Sequence, residues 1–345
     1  MFRMNSIHHI IMKTVKKIFR WSAKGIGGIL LLLILSGLVS RMITNRPKPP
    51  GKLVDIGGFK LHINATGKRN SKPTLVIESG AGAPSEYYYW LGELLKDSIR
   101  VIRYDRAGIG YSESSDSPRN PETIATELHR LLQKSGEKPP YILAGHSYGG
   151  HYIRAYKQLY PKEVVGMVLL DAPHPDESER LKMPHSPRFL RPLYYLGAVA
   201  GDLGILNLYG QCAKRPLLWA PGLPKDVIDG YRDYSKNGSY LWGYIEEEKE
   251  HRRLVNKSRE ISAFDTIPMR VFAGTNLNEP LLRKMGFDPK FIRKERANMQ
   301  REMIGRSVDG EVFFLKGGHI TIFSEKENAE FISKEILKFI AKIIR

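Results

Sequence analysis

Residues 141–150, with the sequence YILAGHSYGG, carry the strongest signal for the fold of this chain. A short apolar run typical of a strand leads into G-x-S-x-G at residues 145–149, and a helical pattern follows at once. A sharp strand-to-helix turn of this kind presents the hydroxyl of its central residue, Ser147, at the tip of a sheet. The flanking glycines fit because a side chain there would collide with neighbouring backbone. An ordinary glycine-rich loop is the alternative, which the strand and helix on either side disfavour.

Apolar runs of strand length recur along the chain, and most of them are followed by helical patterns. They lie at residues 74–78, 99–104, 164–170, 269–273 and 312–315. Two shorter alternating runs, at 53–56 and 59–63, predict a β-hairpin with His62 on its exposed side. This order predicts an α/β fold with a mostly parallel, doubly wound sheet and helices on both faces.

The first 50 residues carry nine Lys or Arg and no Asp or Glu, which is half of the net charge of +18. Residues 25–40 are uncharged, and Ile43 beyond a snorkelling Arg41 lengthens the apolar segment enough to cross a bilayer. We therefore expect a basic cytoplasmic segment at 1–24, an uncleaved transmembrane signal anchor at 25–43 and an extended linker at 44–51. The positive-inside rule then places residues 52–345 on the extracytoplasmic side of the cell membrane. A cleaved signal peptide is the alternative, disfavoured by the long basic region and the lack of an A-x-A-like site.

Composition excludes several other classes of protein. The chain has 345 residues, 42% of them hydrophobic and 26% charged, as globular proteins do. Half of the basic excess is terminal and no RNA- or DNA-binding motif occurs, so nucleic acid is not an expected partner. No metal-ligand cluster or nucleotide loop is visible, so we expect no cofactor and no metal. The single cysteine, Cys212, excludes an intramolecular disulfide framework.

A second glycine-rich loop, Ser79-Gly80-Ala81-Gly82, follows the apolar run at 74–78. In acyl-transfer sites, a backbone N–H from a loop after an early strand binds the oxyanion together with the N–H after the nucleophile. We therefore expect Ala81 and Tyr148 to be the oxyanion donors, with Gly82 as the next choice after Ala81. On its own, the loop fits an ordinary strand-to-helix turn equally well.

These segments together resemble the α/β-hydrolase family. The resemblance rests on residues 79–82, on DRAGIGYS at 105–112, on G-x-S-x-G at 145–149 and on Gly317-Gly318-His319. It spans about residue 52 to the C-terminus and departs from the commoner pattern at Ser79, where His is usual. Asp105 is expected to bond local backbone amides at a turn rather than to act as a catalytic acid.

The resemblance implies an α/β-hydrolase fold in which residues 172–265 form a helical cap over the active site. Prolines within this stretch exclude long uninterrupted helices over that part, and a charged helix is expected from about residue 240 to 261. The apolar and aromatic residues of the stretch either line a hydrophobic pocket or form the core of the cap itself.

A serine hydroxyl needs a general base close by before it becomes a good nucleophile. Of the ten histidines, His319 lies on a glycine loop just after the last predicted strand, where it can approach the sheet's C-terminal edge. The resemblance also puts the catalytic histidine there.

The triad acid has two candidates. In most of the family it follows the strand after the cap, where Glu279 is the nearest carboxylate. In some relatives it follows the strand after the nucleophile helix, where Asp171 stands. We assign Asp171, in the chain order Ser, Asp, His, and a local turn residue is its alternative role.

The site residues predict a membrane-anchored serine hydrolase. Its expected substrate is a small or lipid-like carboxylic ester with a hydrophobic acyl or alcohol part, cleaved through an acyl-enzyme. Amide or peptide hydrolysis and acyl transfer on the same fold are alternatives, and so is a non-catalytic binding protein on this scaffold.

Overall fold

The computed structural model describes residues 2–43, 48–183, 191–213, 220–234, 238–262 and 266–345. The side chains of residues 2–11, 210–213, 232–234 and 262 are outside this description. Part of the predicted linker (residues 44–47), several stretches of the predicted cap and the side chain of Cys212 therefore lie outside the described residues.

An eight-stranded sheet runs through the described part of the chain in the order β1-β2-β4-β3-β5-β6-β7-β8. The neighbours from β4 to β8 are parallel, whereas β2 is antiparallel to both β1 and β4. The predicted hairpin and the mostly parallel sheet are thereby confirmed. The strands are β1 Lys52–Asp55, β2 Lys60–Thr66, β3 Thr74–Glu78, β4 Val101–Tyr104, β5 Tyr141–His146, β6 Val164–Leu170, β7 Met269–Gly274 and β8 Gly310–Leu315.

Helices connect the strands. The described helices are α1 Phe2–Ile43, α2 Tyr89–Leu95, α3 Pro121–Lys134, α4 Gly149–Leu159, α5 Glu177–Arg180, α6 Arg191–Asp202, α7 Ile205–Ala213, α8 Lys225–Tyr234, α9 Gly238–Lys249, α10 His251–Ser262, α11 Glu279–Lys284, α12 Pro289–Glu302, α13 Thr321–Ser324 and α14 Lys326–Ile343.

Helices cover both faces of the sheet because successive strand residues point to opposite sides. Ile77 and Ala144 pack in one apolar cluster with residues of α2 and α14. Val76 and Leu143 pack in a second cluster with residues of α3 and α4. This two-sided core is the doubly wound arrangement that the sequence predicts, and it holds the carboxyl ends of β5, β6 and β7 side by side.

Helices α5 to α10 lie between β6 and β7, where the sequence predicts the helical insertion. The charged helix expected from about 240 to 261 is in fact two helices, α9 and α10, which a turn at Glu250 separates. Within the insertion α6 packs on α9, with the rings of Tyr194 and Tyr244 edge to face at 5.3 Å.

The N-terminal helix α1 is continuous from Phe2 to Ile43. Its segment from Met12 to Ile43 is long and apolar enough to cross a membrane, and it is mostly exposed. That exposure disfavours a core helix of a soluble protein. A membrane anchor and a signal sequence both have these properties.

The prediction that His62 is exposed was wrong, because its side chain is completely buried. Its Nδ1 lies 2.7 Å from Oδ2 of Asp105, and its ring packs edge to face on Tyr111. The reason is that loop residues Pro50, Asp105 and Tyr111 contact the His62 ring and cover this face of β2. Asp105 also accepts the backbone N–H groups of Ser85 and Tyr111, which confirms its role as an acceptor for local amides.

Candidate active site

The turn around Ser147 has the geometry that the motif predicts. Strand β5 ends at His146, Ser147 has a φ of +52°, and α4 begins at Gly149. A Cβ on Gly145 would lie 2.5 Å from the carbonyl carbon of Gly149, and a Cβ on Gly149 would lie 2.3 Å from the carbonyl oxygen of Glu78. Only glycine fits these two places, and the strained φ of Ser147 is held by the strand and the helix on either side.

The structure brings His319 and Asp171 together. Asp171 directly follows β6, the neighbour of β5, and His319 lies in the loop after β8. His319 Nδ1–H donates to Asp171 Oδ2 over 2.7 Å, which leaves its Nε2 unprotonated in the neutral ring. The His319 ring lies 4.5 Å from that of His146, the residue before Ser147. The predicted serine, histidine and aspartate therefore share one edge of the sheet.

Asp171 is buried and held from three sides. Besides His319, its carboxylate accepts the backbone N–H of Gly274 at 2.9 Å and contacts Nη2 of Arg296 at 3.3 Å. Burial alone would raise the pKa of Asp171, but the hydrogen bond and charge of His319, with the charge of Arg296, lower that pKa well below its usual range. Asp171 is therefore a carboxylate throughout the neutral pH range.

Glu279, the other candidate acid, is occupied elsewhere. It is partly exposed at the start of α11 and pairs with Arg293 at 2.7 Å and with Arg283 at 3.1 Å. Its hydrogen bonds among the described residues go to these two arginines, whereas His319 bonds Asp171. The geometry thus favours Asp171, whose catalytic role stays a prediction.

His146, the residue before Ser147, joins the two loops of the site. Its Nε2–H donates to the carbonyl oxygen of His319 at 3.0 Å, and its Nδ1 accepts from Tyr88 Oη at 2.8 Å. Tyr88 Oη in turn accepts the backbone N–H of Gly80 at 3.0 Å. Complete burial, together with the charge of a protonated His319, lowers the pKa of His146 well below its usual range. A neutral His146 therefore positions the His319 loop against the loop at residues 79–82.

Hydrogen bonds engage two of the backbone N–H groups in the loop at 79–82. The N–H of Gly80 is bonded to Tyr88, and that of Gly82 donates to Oε2 of Glu247 at 3.0 Å. The prediction of Gly82 as second choice is therefore disfavoured. The Ala81 N–H has no partner among the described residues. A Cβ on Gly80 would lie 3.1 Å from the Cβ of Ser147, so the loop lies directly against Ser147.

The fully buried side chain of Arg106 is hydrogen-bonded to the backbone of the loop at 79–82. Its Nη1 donates to Glu78 Oε1 and to the carbonyl of Ser79, and its Nη2 donates to the carbonyl of Gly80. Its Nε and Nη2 donate to the carboxylate of Glu247 on α9. Burial opposes the charged form, but Glu247 and Glu78 outweigh it and raise the pKa of Arg106. The inserted helices and the loop beside Ser147 are thus joined through one guanidinium.

Replacing Arg106 with Leu is expected to lower the free energy of unfolding by about 3–5 kcal/mol, because two carboxylates remain buried without a cation. Urea unfolding of the full chain in detergent measures this, with the exposed Arg130→Leu as a matched control. The control is expected to change the free energy by no more than about 0.5 kcal/mol. Equal effects of the two substitutions would contradict this account of Arg106.

Sequence reasoning missed the positioning groups of the site. Arg106 lies in the DRAGIGYS segment, so a signal for it existed, but nothing local marks Glu247 as its partner. Arg296 is one of several basic residues on α12 and carries no local signal. Among the residues that the structure describes, no group of three or more His, Cys, Asp or Glu side chains is arranged to hold a metal ion.

The order of the strands, the elbow at the carboxyl end of β5 and the helices inserted after β6 define a class of α/β proteins with sites at this edge of the sheet. Residues 75–333 match the alpha/beta hydrolase family, and the chain belongs to that family. The resemblance noted from the sequence is thereby confirmed.

Individual relatives share only part of their sequence with this chain. The uncharacterized protein YbdG of Bacillus subtilis is 32% identical over 179 residues, which cover 50% of this chain and 54% of that protein. The chain spans between a third and about half the length of the first curated relatives it matches.

Solved structures share the fold. An esterase from Exiguobacterium antarcticum has a TM-score of 0.57 at 18% identity, covering 84% of this chain and 99% of the esterase. The epoxide hydrolase CorEH has a TM-score of 0.56 at 19% identity, covering 85% of this chain and 98% of that protein. Because these two enzymes catalyse different reactions, the structural similarity shows a shared fold and does not indicate which reaction occurs.

Proposed function

We propose that this protein is a serine hydrolase that cleaves a hydrophobic carboxylic ester through an acyl-enzyme. The observation that carries the proposal is the hydrogen bond from His319 to Asp171 beside the elbow of Ser147. A neutral histidine whose Nδ1–H is held by a carboxylate has its Nε2 lone pair ready to accept a proton. The serine also disfavours epoxide hydrolysis, because that branch of the family uses an aspartate nucleophile.

In the proposed reaction, Ser147 Oγ attacks the ester carbonyl carbon while His319 Nε2 takes the hydroxyl proton. The N–H groups of Ala81 and Tyr148 donate to the oxygen that becomes negative. The bond to the alcohol oxygen then breaks, and His319 returns the proton to the leaving group. Water attacks the acyl-enzyme with His319 again as the base, which releases the carboxylic acid and Ser147. Asp171 remains ionised throughout and stabilises the imidazolium.

The hydrophobic character of the substrate is supported by the inserted helices, which we interpret as a cap. A cavity of about 200 Å³ lies between α6 and α9, with Tyr194, Tyr195 and Ile245 in its wall. Glu248, also in that wall, accepts a hydrogen bond from Tyr148 Oη at 2.8 Å, so the cavity adjoins the residue after the nucleophile. Arg191 and Lys249 also line the cavity, so an aromatic and aliphatic side that favours apolar groups faces a charged side.

We also propose that α1 is an uncleaved anchor in the cell membrane, with residues 1–24 in the cytoplasm and the hydrolase domain on the other side. The six Lys or Arg before residue 25 and the uncharged stretch at 25–40 support this orientation. An anchored enzyme meets lipid-like esters at the membrane, which agrees with the aromatic side of the cavity.

A panel of p-nitrophenyl esters, from acetate to laurate, tests the reaction against the matching p-nitroanilides. We expect the esters to be cleaved faster, and kcat/KM to rise roughly fourfold per added methylene while the pocket still buries it, at about 0.8 kcal/mol each. Faster cleavage of the anilides would make the protein an amidase, and acyl capture by an added alcohol in preference to water would make it an acyltransferase. If no substrate is cleaved and a fluorophosphonate does not label the protein, the scaffold is a binding protein instead.

A further inference from the structure

Helices α6 and α7 present an apolar face to solvent beside the end of α1. Leu193, Leu196 and Val199 are 59%, 65% and 46% exposed, and their spacing puts them along one side of α6. Tyr195 and Tyr209 are 41% and 56% exposed nearby on α6 and α7. Large apolar side chains clustered on neighbouring helices mark an interaction surface more often than scattered ones do.

This face is directly attached to the helix that we interpret as the membrane anchor. Asn207 Nδ2 of α7 donates to Ser40 Oγ at 3.2 Å, and both side chains are buried. Arg41 Nη1 donates to the carbonyl oxygen of Asp202 at 2.8 Å. Gly37 and Gly204 approach so closely that a Cβ on Gly204 would lie 2.1 Å from the carbonyl oxygen of Gly37. The contact is therefore backbone against backbone and fixes α7 along α1.

The place where α7 contacts α1 determines how deep α7 lies in the membrane. Gly37 lies six residues before the end of α1 at Ile43, which is about 9 Å along a helix. If residues 25–43 cross the bilayer, this point lies inside the membrane and not above it. Helices that lie in the membrane interface bury their apolar face about 5–10 Å into the boundary between headgroups and acyl chains, which is a comparable distance.

We propose that the exposed apolar face of α6 and α7 docks on the lipid bilayer that α1 enters, so that the cap of the enzyme lies in the membrane interface. The proposal rests on the proposed anchoring by α1. The bilayer is the occupant because the face continues the apolar surface of α1, whose large apolar side chains between Ile26 and Leu35, apart from Ile34, are 43–66% exposed. Tyr194 and Tyr195 of α6 line the cavity between α6 and α9. An ester in the bilayer is therefore close to that cavity.

The test uses the full chain, with Cys212→Ser to remove the native thiol, reconstituted in phosphatidylcholine vesicles. A polarity-sensitive fluorophore is attached at Leu196→Cys or, as the control, at Val308→Cys. Val308 is 75% exposed and precedes β8, at the edge of the sheet away from the cap. Lipids with a spin label near the headgroup are expected to quench the label at residue 196 about twofold or more and to leave the label at residue 308 unchanged.

Equal, weak quenching at both positions in chains that float with the vesicles would overturn the docking proposal and leave the anchor intact. Chains that do not float with the vesicles would overturn the anchor and the docking together. A blue shift at residue 196 without lipid quenching would assign the face to a second copy of the chain and reject the bilayer. None of these measurements requires catalytic activity, so a failure of the proposed ester hydrolysis is detected separately.

Discussion

Replacing Ser147 with Ala is expected to lower kcat for ester hydrolysis roughly a million-fold and to abolish covalent labelling by a fluorophosphonate. The reason is that no acyl-enzyme forms without the hydroxyl, so only the oxyanion donors and substrate binding remain to stabilise the transition state. Stopped assays with the preferred p-nitrophenyl ester measure the loss, and intact-protein mass spectrometry measures the labelling.

The matched control is Ser117→Ala, because Ser117 is an exposed serine of the same domain. We expect this variant to keep the activity and the labelling of the unmodified protein. Labelling that persists in Ser147→Ala would place the nucleophile elsewhere, and hydrolysis that persists without labelling would reject the covalent mechanism.

Replacing Asp171 with Asn is expected to lower kcat about ten-thousand-fold at neutral pH. The amide can donate to His319 Nδ1, which favours the tautomer with the proton on Nε2 and removes the acceptor that Ser147 needs. The negative charge that stabilises the imidazolium is also lost. The Asn side-chain oxygen can still accept the Gly274 N–H, so the fold of this corner is expected to survive. Thermal unfolding in detergent checks that it does.

Glu279→Gln is the comparison that decides the triad acid, because Glu279 bonds Arg283 and Arg293 on the surface. We expect its kcat to stay within about twofold of the unmodified protein, since surface pairs contribute little. A large loss in Glu279→Gln together with an active Asp171→Asn would show that the assignment of Asp171 is wrong.

Much of the fold could be predicted because its signals are local. The elbow at residues 141–150 and the buried strands each depend on neighbours within a few residues. The periodicity and the turn residues that indicate each of them lie within one short stretch of sequence. The exposure of His62 was predicted wrongly for the same reason, since alternation along β2 does not show that residues distant in the sequence, such as Asp105 and Tyr111, cover that face of the strand.

The site was predictable in part. Ser147 and His319 follow from a turn motif and from a glycine loop at the end of a strand. The sequence assigned Asp171, but chain order alone does not separate it from Glu279, because both stand after strands that end at the same edge of the sheet. The structure separates them by side-chain direction, with Asp171 turned inward to His319 and Glu279 turned out to two arginines.

The sequence by itself determined the kind of sheet, the elbow of Ser147, the place of His319 after the last strand and the apolar N-terminal helix. Tertiary structure alone decided how these parts are held. His319 bonds Asp171 across 148 positions, Arg106 bonds Glu247 across 141, and α7 bonds Ser40 across 167. Such contacts depend on which strands and helices become neighbours when the chain closes its core, and no pattern within one segment encodes them.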